Sequence, residues 1–478
     1  MSGHASRRRL TALFLAVFLV GASVAGVAGV VDVAGGQAAE RLYVDAPGDD
    51  FCGPSGADRY EDIQSAVDDA NAGDTVVVCD GTYREAVTVD KPLTIRANRT
   101  DGPATLDAGG ALGTAITVRP AASGTRIDGL RIEGYSSEGV SVEDASDVEV
   151  SNATVVGITG GGRGIAITDG SDVAVSNTTV ADVLGRGIAI TDGSDVAVSN
   201  VALERISGGG VSVDGSSGVS VSNATFDRVN GPAVEASAGS SVTVASATVT
   251  GGSEGISVTG SDVTVRNTRF DGGSGPAVDA SGGGEVTVEG IDVRSGTAGV
   301  VADSVAGVTV LASRFDGTPG PAVEVTDSDA ALVRGANVTD APVGVVFDST
   351  PDARIVDLRT DGLGGPAVNL SRADGALVRD VDVSNGPAGV IVGGSSNVAV
   401  TDTTVEDVDG TGIGLTNAEG ALVRNVTVAD TTRGVGVTAT GGEDVSNATV
   451  RDATVSGADD GIRVRATGGA TFSGIVVS

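Results

Sequence analysis

The sequence predicts an all-β protein whose chain winds into a right-handed parallel β-helix of about 23 residues per rung, with a short N-terminal capping helix. Three observations predict this fold. The segment at 162–177, GRGIAITDGSDVAVSN, recurs unchanged at 185–200. One apolar position then recurs every 22 or 23 residues along most of the chain. Within each copy, β-branched residues alternate with small ones at period two, as in short strands with one buried face.

A repeat of this length has room for two or three strands but not for a crossover helix, so successive rungs must pair in parallel. The handedness of parallel crossovers makes the coil right-handed. With roughly 16 rungs about 4.8 Å apart, the rod would be about 75 Å long. The recurring inward position is predicted at Val140, Ile165, Ile188, Val211, Val234, Ile256, Val278, Val300, Val323, Val345, Val368, Val390, Ile413, Val435 and Ile462.

A second column, rich in asparagine, follows the Val-x-Val pairs. We interpret it as a structural ladder in which each sheltered amide bonds the next rung and the turn backbone. A binding role is the alternative. The ladder is predicted at Asn152, Asn177, Asn200, Asn223 and Asn267.

The first 39 residues have the pattern of an export signal. Arg7, Arg8 and Arg9 precede an apolar run at 10–20 and then small residues, which is typical of a signal peptide. The arginines also resemble a twin-arginine signal, so export by the Sec or the twin-arginine route is predicted. The alternative is an uncleaved signal, which would be the only contact with a membrane. We divide the chain into a signal peptide at 1–39, an N-terminal cap with the first rungs at 40–118, and β-helix repeats at 119–478.

The chain is strongly acidic, with a formal net charge of −33. Such a surface stays hydrated in concentrated salt, and the pattern is similar to that of secreted haloarchaeal proteins. Nucleic acid is not an expected partner, because the basic patch that neutralises phosphates is missing. A hydrophobic content of 40% argues against a disordered acidic chain.

The N-terminal segment differs from the repeats. Residues 60–70 carry apolar side chains at helical spacing, followed by Gly73 and a strand at 75–78. The helix would cover the open end of the stack. In an exported chain, Cys52 and Cys79 predict a disulfide that ties this cap, and a reactive or metal-binding pair is the alternative.

The segment IQSAVDDANAGDTVVVCDGTYREAVTVDKPLTI at 63–95 resembles the opening of right-handed parallel β-helix proteins of the pectin lyase-like superfamily. These include NosD-type proteins and carbohydrate-binding and sugar-hydrolase β-helix proteins. The resemblance continues through the repeats to about residue 478. It implies the fold but no single activity, because the superfamily holds lyases, hydrolases, esterases, adhesins and binding proteins. The NosD-type role implies copper, but beyond the signal the chain has neither His nor Met, so no copper is expected.

Stacked aspartates at Asp-Gly turns are the candidate metal ligands. Carboxylates about 4.8 Å apart can share a hard cation, and resemblance to pectate lyases implies calcium-binding aspartates on one flank. The alternative is an acidic turn that uses Asp-Gly for its backbone conformation. No other cofactor is expected. The candidate calcium ligands are Asp169, Asp172, Asp192 and Asp195.

Sequons occur both inside and outside the asparagine column. Those outside it, at Asn98, Asn337 and Asn369, are the predicted glycan acceptors because the ladder would be sheltered. The segment at 471–478 ends in the manner of a strand without a capping helix, which would leave an edge for self-association.

These features favour a secreted or cell-surface scaffold without catalytic residues, whose partners are polysaccharide or cell-envelope components. Exposed aromatic platforms for sugar are scarce: Trp is absent, and Phe226, Phe270 and Phe315 occupy equivalent strand positions that are predicted to be interior. The alternative is a polysaccharide lyase or glycoside hydrolase, as the superfamily suggests. Its site would be expected in the longer segments at 101–113 and 438–452.

Overall fold

The chain winds into a coil of parallel strands. The structure is a computed structural model and describes residues 39–46, 51–99, 102–440, 445–465 and 468–478. The residues from Ala39 onwards form a unit of about 17 turns with about 23 residues per turn. Successive rungs contribute strands to three sheets around a core of buried aliphatic side chains. The predicted signal peptide at 1–39, apart from Ala39, lies outside the described residues.

Each sheet runs the length of the coil. Sheet 1 contains Val87–Val89, Thr114–Val118, Glu138–Glu143, Arg163–Thr168, Ile188–Thr191, Val211–Asp214, Pro232–Ser237, Glu254–Thr259, Val278–Ser281, Val300–Asp303, Val323–Thr326, Val345–Asp348, Pro366–Ser371 and Asp460–Arg465. Sheet 2 contains Arg41–Val44 with Arg59–Tyr60 beside it, then Thr75–Val78, Thr94–Ala97, Arg126–Asp128, Glu149–Ser151, Ala174–Ser176, Ala197–Ser199, Val219–Ser222, Ser241–Ala245, Asp262–Arg266, Glu285–Glu289, Gly307–Leu311, Ala331–Arg334 and Gly468–Ser473.

Sheet 3 contains Gly81–Tyr83, Ala104–Asp107, Arg131–Glu133, Thr154–Val156, Thr179–Val183, Ala202–Ile206, Thr225–Val229, Thr248–Thr250, Arg269–Asp271, Asp292–Arg294, Arg314–Asp316, Asn337–Thr339 and Val476–Val477. Five long strands turn the corners between sheets. Arg354–Asp361 and Ser446–Ser456 serve sheets 2 and 3, and three more serve all three sheets: Leu377–Gly393, Ala399–Thr416 and Leu422–Thr438.

The predicted register is confirmed at every position of the apolar column. Val140 pairs with Ile165, Ile165 with Ile188, and the series continues rung by rung to Val435 and Ile462. Nearly all of these side chains are buried, because period-two alternation turns every second residue of a strand towards the inside. The prediction that Phe226, Phe270 and Phe315 are interior is also confirmed.

Single residues with left-handed backbone turn the chain between sheets. Asp, Asn and Gly are the common occupants, because they adopt positive φ at the least steric cost. At Asn177, for example, φ is 48° and the backbone N–H donates to the Ser199 carbonyl of the next rung at 3.1 Å. The turns therefore stay hydrogen-bonded along the coil, as buried backbone requires.

A helix at Ile63–Asp69 lies at the N-terminal end of the stack and is shorter than the predicted 60–70. It begins after Asp62, whose carboxylate accepts the Ser65 backbone N–H at 2.7 Å, and it ends at Ala70, whose backbone is extended. The buried side chains of Ile63, Ala66 and Val67 pack on the core, as a capping helix requires. Among the described residues, no helix is long and apolar enough to cross a membrane.

Side chains from the following rung hold both ends of this helix. The Glu85 carboxylate accepts the backbone N–H groups of Ile63 and Gln64 at 2.7 and 2.8 Å. Lys91 Nζ donates to the carbonyls of Val67, Asp68 and Ala70, at 3.0–3.2 Å. An anion at the N-terminus and a cation at the C-terminus both favour the helix.

The last described strands expose apolar residues. Val476 and Val477 are each 57% exposed. Self-association at this edge stays a prediction.

Candidate functional site

The outer face of sheet 3 carries a groove of about 660 Å³, within the range of about 300–1,000 Å³ that is usual for ligand sites. We call it the sheet 3 groove. It spans four consecutive rungs of the coil. Its lining residues are Asn337, Thr339, Arg359, Thr360, Asp361, Asp382, Val383, Ser384, Asn385, Thr404 and Glu406.

Strand alternation places the polar residues of the groove in two outward columns. Because the rungs pair without slippage here, equivalent residues stack directly along the rod. The first column is Asn337, Arg359, Asp382 and Thr404, and the second is Thr339, Asp361, Ser384 and Glu406.

The same tripeptide pattern precedes the groove on sheet 3. Residues 269–271 and 314–316 read Arg-Phe-Asp, and 359–361 read Arg-Thr-Asp, at a spacing of 45 residues. In the first two copies the arginine pairs with the aspartate of its own rung, at 2.7 Å for Arg269–Asp271 and 3.1 Å for Arg314–Asp316. The acidic and basic groups of those rungs thus neutralise each other.

The third copy departs from this pairing. Arg359 Nη2 lies 3.3 Å from Asp357 Oδ1, and its Nε lies 3.7 Å from Asp382 Oδ2 on the next rung. Within the described chain no ion pair joins Arg359 to Asp361. Arg359 and Asp382 are highly exposed, at 64% and 61%, so their contact is weak and open to competition by a ligand.

Asp361 is held by neutral donors instead of a guanidinium. Its Oδ1 accepts Asn385 Nδ2 at 2.7 Å and Ser384 Oγ at 3.0 Å. These two hydrogen bonds, that from Asn385 first, lower the pKa of the Asp361 carboxyl. The carboxylate is therefore ionised at neutral pH and retains acceptor capacity towards the groove.

Thr360 occupies the inward position that phenylalanine holds in the other two copies. It stacks between Val338 and Val383 and is almost completely buried. Its hydroxyl has no hydrogen-bond partner among the described residues. A buried hydroxyl in this state is uncommon in native proteins and marks the rung as different from its neighbours.

A second outward row, polar except for Val301, lies on the outer face of sheet 1. Glu235, Ser257, Asp279, Val301 and Glu324 stack in consecutive rungs. Burial raises the pKa of the Asp279 carboxyl. The carboxylates on either side are two rungs away, about 9.6 Å at the usual strand spacing.

The predicted disulfide is present in the N-terminal cap. Cys52 and Cys79 are bonded, with 5.7 Å between their Cα atoms. Close by, the Arg59 guanidinium lies 5.5 Å from the centre of the Phe51 ring and forms an ion pair with the buried carboxylate of Asp45. The bond ties the loop after the first strand to the strand at Thr75–Val78.

The four aspartates proposed for calcium lie at exposed turns. Asp169, Asp172, Asp192 and Asp195 have φ values of 52–53°, and their backbone N–H groups donate to the next rung at 3.0 Å or less. Across the described ranges, no group of three or more His, Cys, Asp or Glu side chains is arranged to hold a metal ion. Their observed role is that of left-handed turn residues, and calcium stays a prediction.

The asparagine column needs a correction. Asn152, Asn177, Asn200, Asn223 and Asn267 do occupy equivalent turns, but all five are exposed, so the prediction that they are sheltered is wrong. In the described part of the chain, no hydrogen bond joins the side chains of successive ladder asparagines, although Asn152 Nδ2 donates to Asp128 Oδ1 of the preceding rung at 2.6 Å. Their φ values of 48–54° show why asparagine recurs here: it tolerates left-handed backbone.

The exposure of the column also removes the reason for ranking the sequons. Asn337 is exposed, but Asn98 and Asn369 are only partly so, and sequon residues of the column such as Asn152 are exposed. Glycosylation at Asn98, Asn337 and Asn369 stays a prediction without a structural preference over the column.

The sheet 3 groove lies outside the two segments where a site was expected. Residues 102–113 carry the strand Ala104–Asp107, and 438–452 are described except for 441–444. The groove arises in regular rungs, without an inserted loop. The change from Arg-Phe-Asp to Arg-Thr-Asp at 359–361 was the sequence signal that could have located it.

Comparison with known families identifies the repeat. A model of the right-handed β-helix region matches residues 114–263, 209–357 and 321–477. This confirms the predicted handedness and fold. No curated protein matches the chain in sequence.

Three solved structures are similar to the chain at low identity. An alginate lyase from Paenibacillus sp. str. FPU-7 is 18% identical over 50% of this chain and 94% of its own, with a TM-score of 0.44. Pectate lyase Pel9A is 12% identical over 72% of this chain and 80% of its own, with a TM-score of 0.33. The catalytic domain of a GH87 alpha-1,3-glucanase is 11% identical, with a TM-score of 0.30; 80% of this chain is aligned but only 64% of that domain.

Proposed function

The chain belongs to the family of proteins with a right-handed β-helix region, and we propose that it is an exported scaffold that binds polysaccharide in the sheet 3 groove. The groove is elongated along the rod, because its lining comes from four stacked rungs. An extended polymer would lie along these rungs and meet a pair of outward polar side chains at each one.

The observation that carries the proposal is the separation of Arg359 from Asp361. In the matching rungs Arg269–Asp271 and Arg314–Asp316, each charge is used by its partner. At the groove, the ionised Asp361 is available to accept hydrogen bonds from hydroxyl groups. Arg359 faces Asp357 and Asp382, but it is exposed and its guanidinium has further N–H groups to donate. A sugar ring offers both kinds of group.

Export is part of the proposal and has its own support. A disulfide persists in oxidising compartments, and Cys52–Cys79 is formed in the cap. The acidic surface would keep the protein dissolved outside the cell and apart from nucleic acid. Cell-envelope glycans are therefore the natural class of partner.

The proposal is tested by incubating the protein, in high salt, with a panel of neutral and acidic polysaccharides. Bound sugar, new reducing ends and unsaturated products are measured in the same tubes. We expect retention of at least one polysaccharide with neither product. Absence of retention across the panel would contradict the binding role, and formation of products would replace it with an enzymatic one.

The second candidate function is glycoside hydrolysis on sheet 1. The observation that favours it is Asp279, because a carboxyl whose pKa is raised by burial suits a general acid. The backbones of Glu235 and Glu324 are each about 9.6 Å from that of Asp279 by strand spacing, just beyond the separation of about 6.5–9.5 Å between the carboxyl groups of inverting enzymes. If the panel yields new reducing ends, Asp279→Asn should abolish them while leaving the sheet 3 groove intact. Full activity in that variant would exclude this site.

A further inference from the structure

We infer that Asp382 and Glu406 make the sheet 3 groove selective for uncharged glycans and exclude polyuronates. This inference rests on the proposed function, because it concerns the ligand class of the same groove.

The lining of the groove has more acidic than basic side chains. Its lining contains a single guanidinium, that of Arg359, against the carboxylates of Asp361, Asp382 and Glu406. A smaller groove of about 350 Å³ shares Asn385 with it and adds Asp407 and Asp409, with no basic residue in its lining. Both lie on a chain of net charge −33. The local field therefore repels an anionic polymer instead of concentrating it.

The position of Arg359, the one basic residue of the lining, also disfavours an anionic ligand. A uronate carboxylate would need Arg359, the only basic partner in the lining. Arg359 already lies between Asp357 at 3.3 Å and Asp382 at 3.7 Å. A third carboxylate on this guanidinium would stand close to two others, and like charges at that range disfavour binding.

The groove provides hydrogen-bond donors and acceptors for the hydroxyl groups of a neutral sugar. Its carboxylates accept hydrogen bonds from hydroxyl donors without needing a counter-charge, and charge-assisted bonds of this kind are strong. Asn337 and Asn385 supply amides that both donate and accept, and Thr404 supplies a hydroxyl. The hydroxyl groups of a neutral polymer can form hydrogen bonds with these side chains. A polyuronate would bring its own carboxylates close to those of Asp361, Asp382 and Glu406, which is unfavourable.

The experiment compares wild type with the double variant Asp382→Asn/Glu406→Gln. The control variant Asp262→Asn/Glu289→Gln changes the net charge equally, but at exposed residues of sheet 2. The probes are a neutral linear glucan and a polygalacturonate, in moderate salt with a chelator to remove divalent cations. Retention is measured by affinity electrophoresis.

We expect wild type to retain the glucan at least about tenfold more strongly than the polygalacturonate. The Asp382→Asn/Glu406→Gln variant should gain retention of polygalacturonate by about tenfold, and the control variant should not. Two results would overturn the inference while leaving the proposed function standing: stronger retention of polygalacturonate by wild type, or an equal gain in both variants. Retention of neither polymer by any of the three proteins would overturn the proposed function as well.

Discussion

Replacing Thr360 by valine should stabilise the coil. Thr360 is 3% exposed, and its hydroxyl has no partner in the described residues. An unpaired buried hydroxyl costs about 1–3 kcal/mol, and valine has nearly the same shape without it. The extra buried methyl group would add about 0.8 kcal/mol. Allowing for imperfect packing of that methyl, we expect the local free energy of unfolding to rise by about 1–3 kcal/mol.

A matched control is present two rungs away. Thr403 is 1% exposed, but its hydroxyl donates to the Thr401 carbonyl at 3.0 Å. Thr403→Val removes a hydrogen bond that is made, which costs about 0.5–1.5 kcal/mol. The same added methyl offsets about 0.8 kcal/mol of this cost, so stability should change by less than about 1 kcal/mol. The two substitutions are chemically identical, and only the pairing of the hydroxyl differs.

The assay has to be local, because stacked rungs contact mainly their neighbours and need not unfold together. Amide hydrogen exchange in the strand Arg354–Asp361 reports the opening of the rung in question. Exchange there should slow about tenfold in Thr360→Val, whereas exchange in the strand Ala399–Thr416 should stay within about threefold in Thr403→Val. Unchanged or faster exchange in Thr360→Val would mean that the hydroxyl is paired after all, for example by a buried water, and would refute the reasoning.

Three further predictions concern the cap and the turns. Replacing Cys52 and Cys79 by alanine removes a disulfide between residues 27 apart in sequence. Loop entropy predicts that the free energy of unfolding of the cap falls by about 3.5 kcal/mol. Urea unfolding with a cap-specific exchange probe measures this, and an unchanged cap stability would contradict it. Burial raises the pKa of Glu85 from its ordinary 4.5, so the folded cap binds this proton more tightly than the unfolded chain, and stability should fall as pH rises from about 4.5 through the folded pKa. Glu85→Gln should lack that component, and an identical pH profile in the two proteins would exclude it. Finally, calcium at the stacked turns predicts that millimolar CaCl2 raises the Tm of wild type more than that of Asp169→Asn/Asp192→Asn, while equal shifts would assign the effect to general screening.

The regular part of the fold could be predicted from the sequence because two features of the repeat determine it. Period-two alternation decides which side of a strand is buried, and the repeat length decides which residues stack. Hence the column from Val140 to Ile462 was predicted without error. The capping helix was also predicted, at 60–70. It is shorter because it begins only after its N-cap Asp62 and ends before Ala70, whose backbone is extended.

The turns were predicted in place, but the reason why asparagine recurs in them was predicted only in part. Asparagine suits both a stacked amide ladder and a left-handed turn, so the recurrence of Asn152 and Asn177 does not distinguish the two. Only the backbone angles and the exposure of these residues decide for the turn.

The groove was missed because it depends on pairing and not on pattern. Arg269, Arg314 and Arg359 occupy the same outward position of an Arg-x-Asp tripeptide, and the change from phenylalanine to Thr360 at the inward position does not say how the arginine pairs. Whether an exposed arginine pairs within its rung or with the rungs beside it is a matter of small energies between flexible side chains. Sequence spacing does not set that choice.

We propose that polysaccharide binds in the sheet 3 groove, where among the described residues Arg359 pairs with Asp357 and Asp382 and not with Asp361. The most direct test is to measure the retention of the best-bound polysaccharide by Arg359→Ala and by Arg269→Ala, which removes the matching arginine from a rung where it is paired. We expect Arg359→Ala to weaken retention by about tenfold or more, as the loss of a charge-assisted hydrogen bond implies, and Arg269→Ala to leave it within about threefold of wild type. Equal retention by wild type and Arg359→Ala, or an equal loss in both variants, would contradict the account.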